Sequence, residues 1–352
     1  KRTLLIIHFL TTLLYAQSVK IWWSSELFPE DPIWFTDPPS PEKIRYKLDR
    51  QQNINFQKFI DEKNETQIIV YPEQTFQKIL GIGASLESTT VYAIDKNRSD
   101  RQIDSLLQLL IDPDEGIGLN LFRITIGTSD FSDGRSVSNH PKGFYSYQDS
   151  VHKPFSIKND FKVNIIKIVK RTQKVAGEFN QHLTFFASCW SPPSWMKTSE
   201  ALIGGSLKSG YEAKLATYFR SFVEAYNELG IAIYAITLQN EPNFTPETYP
   251  GMMLDWRQER DIAISTYEEF RKEPALDTKL WIIDHNFEYW KKADKILTSL
   301  EEENKKNYVN AVAFHDYSSE SPKVMEKLKA LHPDIGLQFS EMSKFGVSGM
   351  YD

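Results

Sequence analysis

Near its middle the chain reads Ala235-Ile236-Thr237-Leu238-Gln239-Asn240-Glu241-Pro242-Asn243. The apolar, β-branched run from Ile231 to Leu238 predicts a buried strand, and Pro242, which has no N–H to donate, ends it. Glu241 is therefore expected at the C-terminal tip of that strand. In a parallel β/α fold, this edge of the sheet faces the ligand site. An ordinary helix-capping or loop carboxylate is the alternative interpretation.

Strand and helix patterns alternate from residue 77 onward. Strand composition is found at 78–86, 120–127, 183–190, 231–241, 279–285, 309–315 and 335–341. The clearest helix covers 212–229, and similar patterns occupy 103–110, 161–175 and 324–331. The apolar stripe of the clearest helix consists of Leu215, Phe219, Phe222, Val223 and Tyr226. This alternation predicts an α/β fold with a parallel sheet, most simply a (β/α)8 TIM barrel whose eighth unit is not accounted for.

A doubly wound sheet is the competing fold. It would carry a phosphate-binding glycine loop after its first strand. The chain instead has Gly81-Ile82-Gly83-Ala84-Ser85-Leu86-Glu87, which lacks the third glycine and ends in an acid. A dinucleotide site is therefore not expected.

The N-terminal part differs in character. Residues 1–18 join a basic start to a short apolar run and small residues, which predicts a signal peptide and a secreted, extracellular or lysosomal protein. A retained anchor is the alternative, although a membrane helix needs about 20 apolar residues. Residues 19–76 have strand patterns at 19–23 and 67–71 around a proline-rich loop, which predicts a small β element. The catalytic barrel would then occupy 77–352.

Composition narrows the classes of function. The chain has 352 residues, of which 41% are hydrophobic and 25% charged, as in an ordinary globular protein. A net charge of −6 leaves no basic footprint for nucleic acid. The single cysteine, Cys189, excludes an intramolecular disulfide and a cysteine-based metal site. The seven histidines are scattered, and no zinc, P-loop or serine-nucleophile motif is present, so we expect no metal or other cofactor.

Polar and aromatic side chains follow the predicted strands where each one ends. They are Glu87, Arg123 with Asp130, Trp190, Asn240 with Glu241, Asp284 with His285, His315 with Asp316 and Tyr317, and Glu341. In a barrel these groups would converge on one mouth. Structural roles remain open at this point: Arg123 could neutralise a nearby carboxylate, and Trp190 or His315 could belong to the core.

Two of these side chains, Glu241 and Glu341, end the fourth and seventh predicted strands. Cleavage of a glycosidic bond needs one carboxylic acid to protonate the leaving oxygen and a second carboxylate to attack the anomeric carbon or activate water. Strands four and seven lie across a barrel, so the two carboxyl groups could flank a sugar. The sequence therefore favours glycoside hydrolysis.

Six motifs resemble those of glycoside hydrolase family 30, which includes the glucosylceramidases, and they come in the family's order. They are Gly81-Ile82-Gly83-Ala84-Ser85-Leu86-Glu87, Phe122-Arg123-Ile124 with Ser129-Asp130-Phe131-Ser132, Trp190-Ser191-Pro192-Pro193-Ser194-Trp195-Met196-Lys197, Thr237-Leu238-Gln239-Asn240-Glu241-Pro242, Phe314-His315-Asp316-Tyr317, and Phe339-Ser340-Glu341. The resemblance extends roughly from residue 19 to the C-terminus.

The resemblance implies a retaining β-glycosidase in which Glu241 is the acid/base and Glu341 the nucleophile. It also implies a substrate-binding set: Asn240 at the sugar 2-hydroxyl, Arg123 beside the catalytic carboxylates, Trp190 and Glu87 at the glycone, and Asp130, His315 and Tyr317 lining the site. The family often has Asp where this chain has Glu87. The longer side chain changes the sugar contact expected there.

The resemblance further implies that residues 19–76 belong to a β-sandwich and that the chain stops before the eighth barrel unit. The expected substrate is glucosylceramide or a related β-glucoside, a glycosphingolipid reaction with peripheral contact to a lipid surface. An endo-β-1,6-glucanase or another β-glycanase of the same family is the alternative. A truncated barrel that binds sugar without hydrolysing it is the non-enzyme alternative.

Overall fold

The computed structural model describes residues 71–132 and 142–343, and before them only the backbone at residues 18–19, 22–26, 44–50, 52 and 54–55. The early strands are Ser18–Val19 (β1), Trp22–Glu26 (β2), Ile44–Arg50 (β3) and Ile54–Asn55 (β4). They form two antiparallel pairs, β1 with β4 and β2 with β3. The predicted signal peptide lies outside the described residues except for Ser18, and the strand predicted at 67–71 does so except for Tyr71.

A separate compact unit, Ile79–Met342, contains the parallel sheet. Within the described residues its strands are Gly83–Ser85 (β5), Leu121–Thr125 (β6), Thr184–Ser188 (β7), Ile233–Thr237 (β8), Lys279–Asn286 (β9), Ala311–His315 (β10) and Gly336–Glu341 (β11). Each strand pairs with the next one along the chain, so the order in the sheet follows the sequence. This order is that of a TIM barrel and confirms the predicted α/β class. A doubly wound sheet would reverse its strand order at a switch point.

Helices connect the strands of this sheet. They are Ser88–Asp95 (α1), Asp100–Ile111 (α2), Lys158–Lys162 (α3), Ile165–Glu178 (α4), Glu212–Glu228 (α5), Trp256–Phe270 (α6), Trp290–Glu302 (α7) and Val324–Leu331 (α8). The predicted stripe of α5, from Leu215 to Tyr226, is completely buried. In the described part of the chain, no helix has both the length and the apolar character needed to cross a bilayer.

One predicted helix is divided in the structure. The pattern at 161–175 predicts a single helix, but α3 ends at Lys162 and α4 begins at Ile165. Between them, Asn164 has a left-handed backbone with a φ of 65°. Asparagine tolerates this conformation better than most residues do. The turn lies near the N-terminal end of the predicted pattern, and the second helix accounts for the rest of it.

The two faces of the sheet carry different clusters of apolar side chains. The outer face packs against the helices in the main apolar core, whereas a smaller cluster consists of Phe186, Ala235, Trp281, Ala311 and Ala313. Side chains two residues apart on a strand share a face. Ser188, Thr237 and His315 therefore lie on the same face as the smaller cluster, one step nearer the C-terminal edge. The polar side chains therefore lie next to this apolar cluster, on the side of the C-terminal strand ends.

Candidate active site

Arg123 on β6 is the centre of the polar site and is only 3% exposed. Its guanidinium donates to Ser188 Oγ (2.8 Å), Asn240 Oδ1 (2.7 Å), Asp284 Oδ2 (2.9 Å) and the Glu341 carboxylate. The guanidinium carbon lies 4.6 Å from the centre of the Trp190 ring, a cation–π distance. Arg123, on β6, therefore joins side chains from four other strands or the loops that follow them, namely β7, β8, β9 and β11.

Burial of these charges is compensated by pairing. Burial opposes the charge on Arg123, but Asp284 and Glu341 together hold its pKa above the ordinary value. Burial alone would raise the pKa of Asp284, but Arg123 and a hydrogen bond with His315 hold that pKa well below its usual range. Asp284 is thus a buried anion, and its charge is balanced by neighbouring cations.

Asp284 reaches the site through an irregularity in β9. The register with β10 pairs Ala313 with Ile283 but Phe314 with His285, so Asp284 is the extra residue of a bulge. Ile283 and Asp284 have positive φ angles of 75° and 44°. A β-branched residue such as isoleucine rarely adopts this conformation. The bulge turns the Asp284 carboxylate towards Arg123.

A second bulge, in β11, contacts the bulge in β9. In β11, Phe339 pairs with Phe314 and Glu341 pairs with His315, so Ser340 is the extra residue. Its hydroxyl donates to Asp284 Oδ1 at 2.6 Å, and the Thr237 hydroxyl donates to Asp284 Oδ2 at 2.6 Å. Hydroxyl donors from β8 and β11 therefore hold the two oxygens of the Asp284 carboxylate.

A buried ion pair lies behind the β9 bulge. Glu259 on α6 is completely buried, and its Oε1 accepts the N–H of Ile283 at 2.7 Å. Its Oε2 lies 2.7 Å from Lys292 Nζ. Lys292 also donates to Asn243 Oδ1 (2.8 Å) and to the carbonyl of Leu254 (2.7 Å), both in the loop after Glu241. The pair thus connects the strained strand to the loop that carries the predicted acid/base.

The sequence placed Asp284 only among the polar residues at the strand ends, without a specific role, and it did not single out Glu259 or Lys292. A signal for Glu259 was present, since it lies three and four residues before Ile262 and Ala263, which are buried on the same helix. A charged residue at that spacing belongs to the buried face. For the Asp284 bulge, the β9 sequence gave no comparable sign.

His315, the last residue of β10, lies between carboxylates. Its Nδ1 is 3.1 Å from Glu241 Oε1, and its Nε2 is 3.1 Å from Asp284 Oδ1 and 3.8 Å from Glu341 Oε2. Burial alone would lower the pKa of His315, but the hydrogen bonds to Asp284 and Glu241 raise it to about 9. The protonated ring can donate through Nε2 to the Asp284 carboxylate and through Nδ1 to an oxygen of Glu241.

Glu241 is not at the end of the strand itself. We expected strand 231–241, but β8 stops at Thr237. Beyond it, the Asn240 N–H donates to the Cys189 carbonyl (2.6 Å) and the Glu241 N–H to the Asp284 carbonyl (2.9 Å). Glu241 has a left-handed φ of 49°. The loop places the Glu241 carboxylate beside His315.

Glu341 ends β11 and is held from two sides. Besides Arg123, the Tyr317 hydroxyl donates to Glu341 Oε1 at 3.1 Å. The side chain of Glu341 is 24% exposed and that of Glu241 is 15% exposed. Both carboxylates are therefore accessible from solvent, unlike the nearly inaccessible Asp284.

The remaining predicted residues lie at the same edge of the sheet. Glu87 is buried and accepts hydrogen bonds from Ser85 Oγ (2.7 Å) and Ser129 Oγ. Burial raises its pKa, an effect that Arg123 partly offsets. Local desolvation, with the charges of Glu87 and Glu341, raises the pKa of Asp130 to about 7, although Asp130 as a whole is exposed.

The structure therefore brings the predicted residues into one neighbourhood, with different degrees of contact. Direct contacts join Arg123, Trp190, Asn240, Glu241, His315, Tyr317 and Glu341. Glu87 and Asp130 join them through charge interactions. Trp190 is only 2% exposed and covers Arg123 with its face. Two accessible carboxylates beside one imidazole can carry out acid–base and nucleophilic chemistry on a bound sugar.

The chain is similar in sequence to known glycosidases. The profile of the "Glycosyl hydrolase family 30 TIM-barrel domain" matches residues 79–349. An endo-1,6-β-D-glucanase of Trichoderma harzianum is 30% identical over 69% of this chain and 49% of its own length. The lysosomal acid glucosylceramidase of Mus musculus is 26% identical over 78% of this chain and 53% of its own length.

A solved structure of a glycosidase is also similar to this chain. The endo-β1,6-glucanase BT3312 superposes with a TM-score of 0.72 and 25% identity, over 86% of this chain and 63% of that one. The chain spans about half the length of the curated relatives it matches. The family profile covers most of the chain, including the whole site described above. The chain therefore belongs to glycosyl hydrolase family 30.

Proposed function

We propose that the protein is a retaining β-glucoside hydrolase that works by double displacement. Glu341 attacks the anomeric carbon while Glu241 protonates the leaving oxygen, and Glu241 then activates the water that releases the sugar. The observation that carries this proposal is the placement of both accessible carboxylates within 4 Å of the same His315 ring, at 3.1 and 3.8 Å.

The surroundings of the two carboxylates differ in a way that supports these roles. Glu341 lies against the permanent positive charge of Arg123, which holds the carboxylate in place for attack on the anomeric carbon. Glu241 contacts His315, which can donate to the carboxylate left after Glu241 gives up its proton. Asn240, fixed by Arg123, would receive the sugar 2-hydroxyl, and Tyr317 would steady the nucleophile.

The leading substrate is a β-1,6-linked glucan. Support comes from the glucanase of Trichoderma harzianum and from the structure of BT3312, whose names give this linkage. Glucosylceramide is the second candidate, because the mouse glucosylceramidase also aligns with most of this chain. A lipid substrate would require contact with a membrane surface or micelle, whereas a soluble glucan would not.

The test of the reaction class is covalent labelling of the full-length protein. A 2-fluoro-β-glucoside with a good leaving group should form a stable adduct, and peptide mapping should locate it on Glu341. An adduct on Glu241, or the absence of labelling in a protein that hydrolyses β-glucosides, would contradict the assigned mechanism. Parallel assays on a β-1,6-glucan and on glucosylceramide in detergent would decide between the two substrates.

We also propose export to the extracellular or lysosomal space, on the basis of residues 1–18. Fusion of these residues to a reporter protein should direct it into the secretory pathway, with cleavage close to Ser18. Retention of the uncleaved fusion in the cytosol would contradict the proposal.

A further inference from the structure

Two histidines that are distant in sequence meet the carboxylate of Glu241 in the site. The ligand-type atoms of Glu241, His285 and His315 all lie within 4.8 Å of one another. Glu241 Oε1 is 3.1 Å from His315 Nδ1 and 3.8 Å from His285 Nδ1. Sequence spacing gives no sign of this group, because its members lie on β9, on β10 and in the loop after β8.

His285 has no role in the proposed reaction, and its ring is buried without hydrogen bonds to the described residues. It is 4% exposed, and neither ring nitrogen has a hydrogen-bond partner among the described residues. The ring stacks on Tyr289 at a centroid distance of 4.2 Å, which fixes its plane. A buried polar group without a partner is costly and requires an explanation. Its Nδ1 faces Glu241, so a ligand bound there would satisfy it.

His315 has the surroundings of a metal-binding imidazole. Its Nε2 lies 3.1 Å from Asp284 Oδ1, while Nδ1 faces Glu241. Metal-binding histidines usually donate their other ring nitrogen to a carboxylate, which fixes the ring and increases its basicity. Asp284 is itself held by Arg123 and Ser340. The outer contacts needed around such a ligand are therefore already in place.

We propose that Glu241, His285 and His315 form a binding site for one divalent transition-metal cation of the zinc type. Two imidazole nitrogens and one carboxylate oxygen suit Zn²⁺, Cu²⁺ or Ni²⁺, whereas Mg²⁺ and Ca²⁺ prefer all-oxygen sites. The cation replaces the proton on His315 Nδ1, so binding releases that proton to solvent. Tetrahedral bonds of 2.0–2.2 Å place ligand atoms about 3.3 Å apart. The 3.1 and 3.8 Å distances found here need only small side-chain movements to match.

The consequence for activity rests on the proposed function. A cation on Glu241 occupies the carboxylate that protonates the leaving oxygen in the proposed reaction. The metal is thus a reversible inhibitor that competes with substrate, and it takes no part in catalysis. The site gives the enzyme sensitivity to free transition-metal ions.

The test is calorimetric titration of ZnCl₂ into the chelator-treated full-length protein, with MgCl₂ as the comparison ion. Zn²⁺ should bind with a stoichiometry of about one per chain at this site, and Mg²⁺ should not bind. His285→Phe keeps a ring against Tyr289 but removes a ligand. Its Zn²⁺ affinity should fall at least about tenfold, because loss of even an outer partner of a metal ligand costs 10–100-fold.

His332→Gln is the matched control, since His332 also lies beside a carboxylate, 2.9 Å from Asp294, but outside the site. Its Zn²⁺ affinity should equal that of the wild type. A saturating glycosyl inhibitor should weaken Zn²⁺ binding to wild-type protein, which tests the location without any variant. Equal affinity in His285→Phe and wild type, or no effect of the inhibitor, would overturn the proposal.

The results can contradict the metal site and the proposed hydrolase function independently of each other. Zn²⁺ binding that depends on His285, in a protein that hydrolyses no β-glycoside, would support the metal site and contradict the proposed function. Hydrolysis that Zn²⁺ does not inhibit, together with no calorimetric binding, would overturn the metal site alone.

Discussion

Arg123 and Asp284 lie 161 residues apart in the chain and form a buried ion pair 2.9 Å long. Such pairs contribute little net stability, because the cost of burying two charges offsets their attraction. This pair instead fixes geometry: the same guanidinium holds Asn240 and Glu341, and the same carboxylate holds His315. The catalytic carboxylates we propose are oriented through it.

Arg123→Lys should therefore reduce activity more than stability. Lysine keeps the charge but cannot donate in a fixed fork to Ser188, Asn240 and Asp284 together. We expect kcat on an activated β-glucoside to fall by about 100-fold or more, the effect of misplacing catalytic groups by about 1 Å. Arg171→Lys is the control, because Arg171 pairs with Asp100 and Asp104 away from the site. Equal kcat values for both variants would refute the orienting role.

Substitution of Glu341 and of Glu241 should impair different steps of the proposed reaction. Glu341→Gln removes the nucleophile, so no glycosyl-enzyme can form. Glu241→Gln leaves the first step intact for substrates with a good leaving group, and a covalent intermediate should accumulate. Added azide should then rescue the Glu241 variant with a β-glycosyl azide and the Glu341 variant with an α-glycosyl azide. NMR of the azide products checks the assignment, and the opposite anomers would reverse it.

The ion pair behind the β9 bulge should matter for stability. Glu259→Gln keeps an acceptor for the Ile283 N–H but leaves Lys292 buried without its counter-charge. We expect the free energy of unfolding to fall by about 3 kcal/mol. Glu224→Gln breaks the partly exposed pair with Arg220 and should cost less than about 1 kcal/mol. Urea denaturation of both variants provides the comparison, and similar losses would argue against a special role for Glu259.

Asp160 should make stability depend on pH. This fully buried carboxylate accepts from the hydroxyls of Tyr145 (2.6 Å), Tyr147 (2.7 Å) and Tyr226 (2.7 Å). Burial raises its pKa from 3.8 to about 6 despite these bonds. Because the folded-state pKa is the higher one, the contribution to stability is complete below about pH 4 and is lost as the pH rises through 6. The loss is about 3 kcal/mol by linkage.

Asp160→Asn should remove this dependence. Between pH 4 and 7 the free energy of unfolding of the wild type should therefore fall relative to that of the variant. Asp104→Asn is a control of opposite sign. Desolvation opposes ionisation there, but bonds from Lys174 and Arg171 outweigh it and lower the pKa of Asp104. Its contribution is therefore lost only as the pH falls. A wild-type stability that does not change relative to Asp160→Asn over this range would contradict the assignment.

The sequence by itself determined the order of strands and helices and the residues at the strand ends. Hydrophobic periodicity acts within about ten residues, so the buried stripe of α5 and the strand before Glu241 could be identified locally. The positions of Arg123, Glu241, His315 and Glu341 at one edge followed from the rule that parallel strands end together. That rule needs only the order of elements along the chain.

Only the tertiary structure decided how these residues touch. The bulges at Asp284 and Ser340 arise from the register between neighbouring strands, which no single strand sequence contains. The support from Glu259 and the meeting of His285 with Glu241 depend on side chains brought together from separate elements. Periodicity fixes which face a residue occupies, but distances of 3 Å between distant residues are set by how whole elements pack.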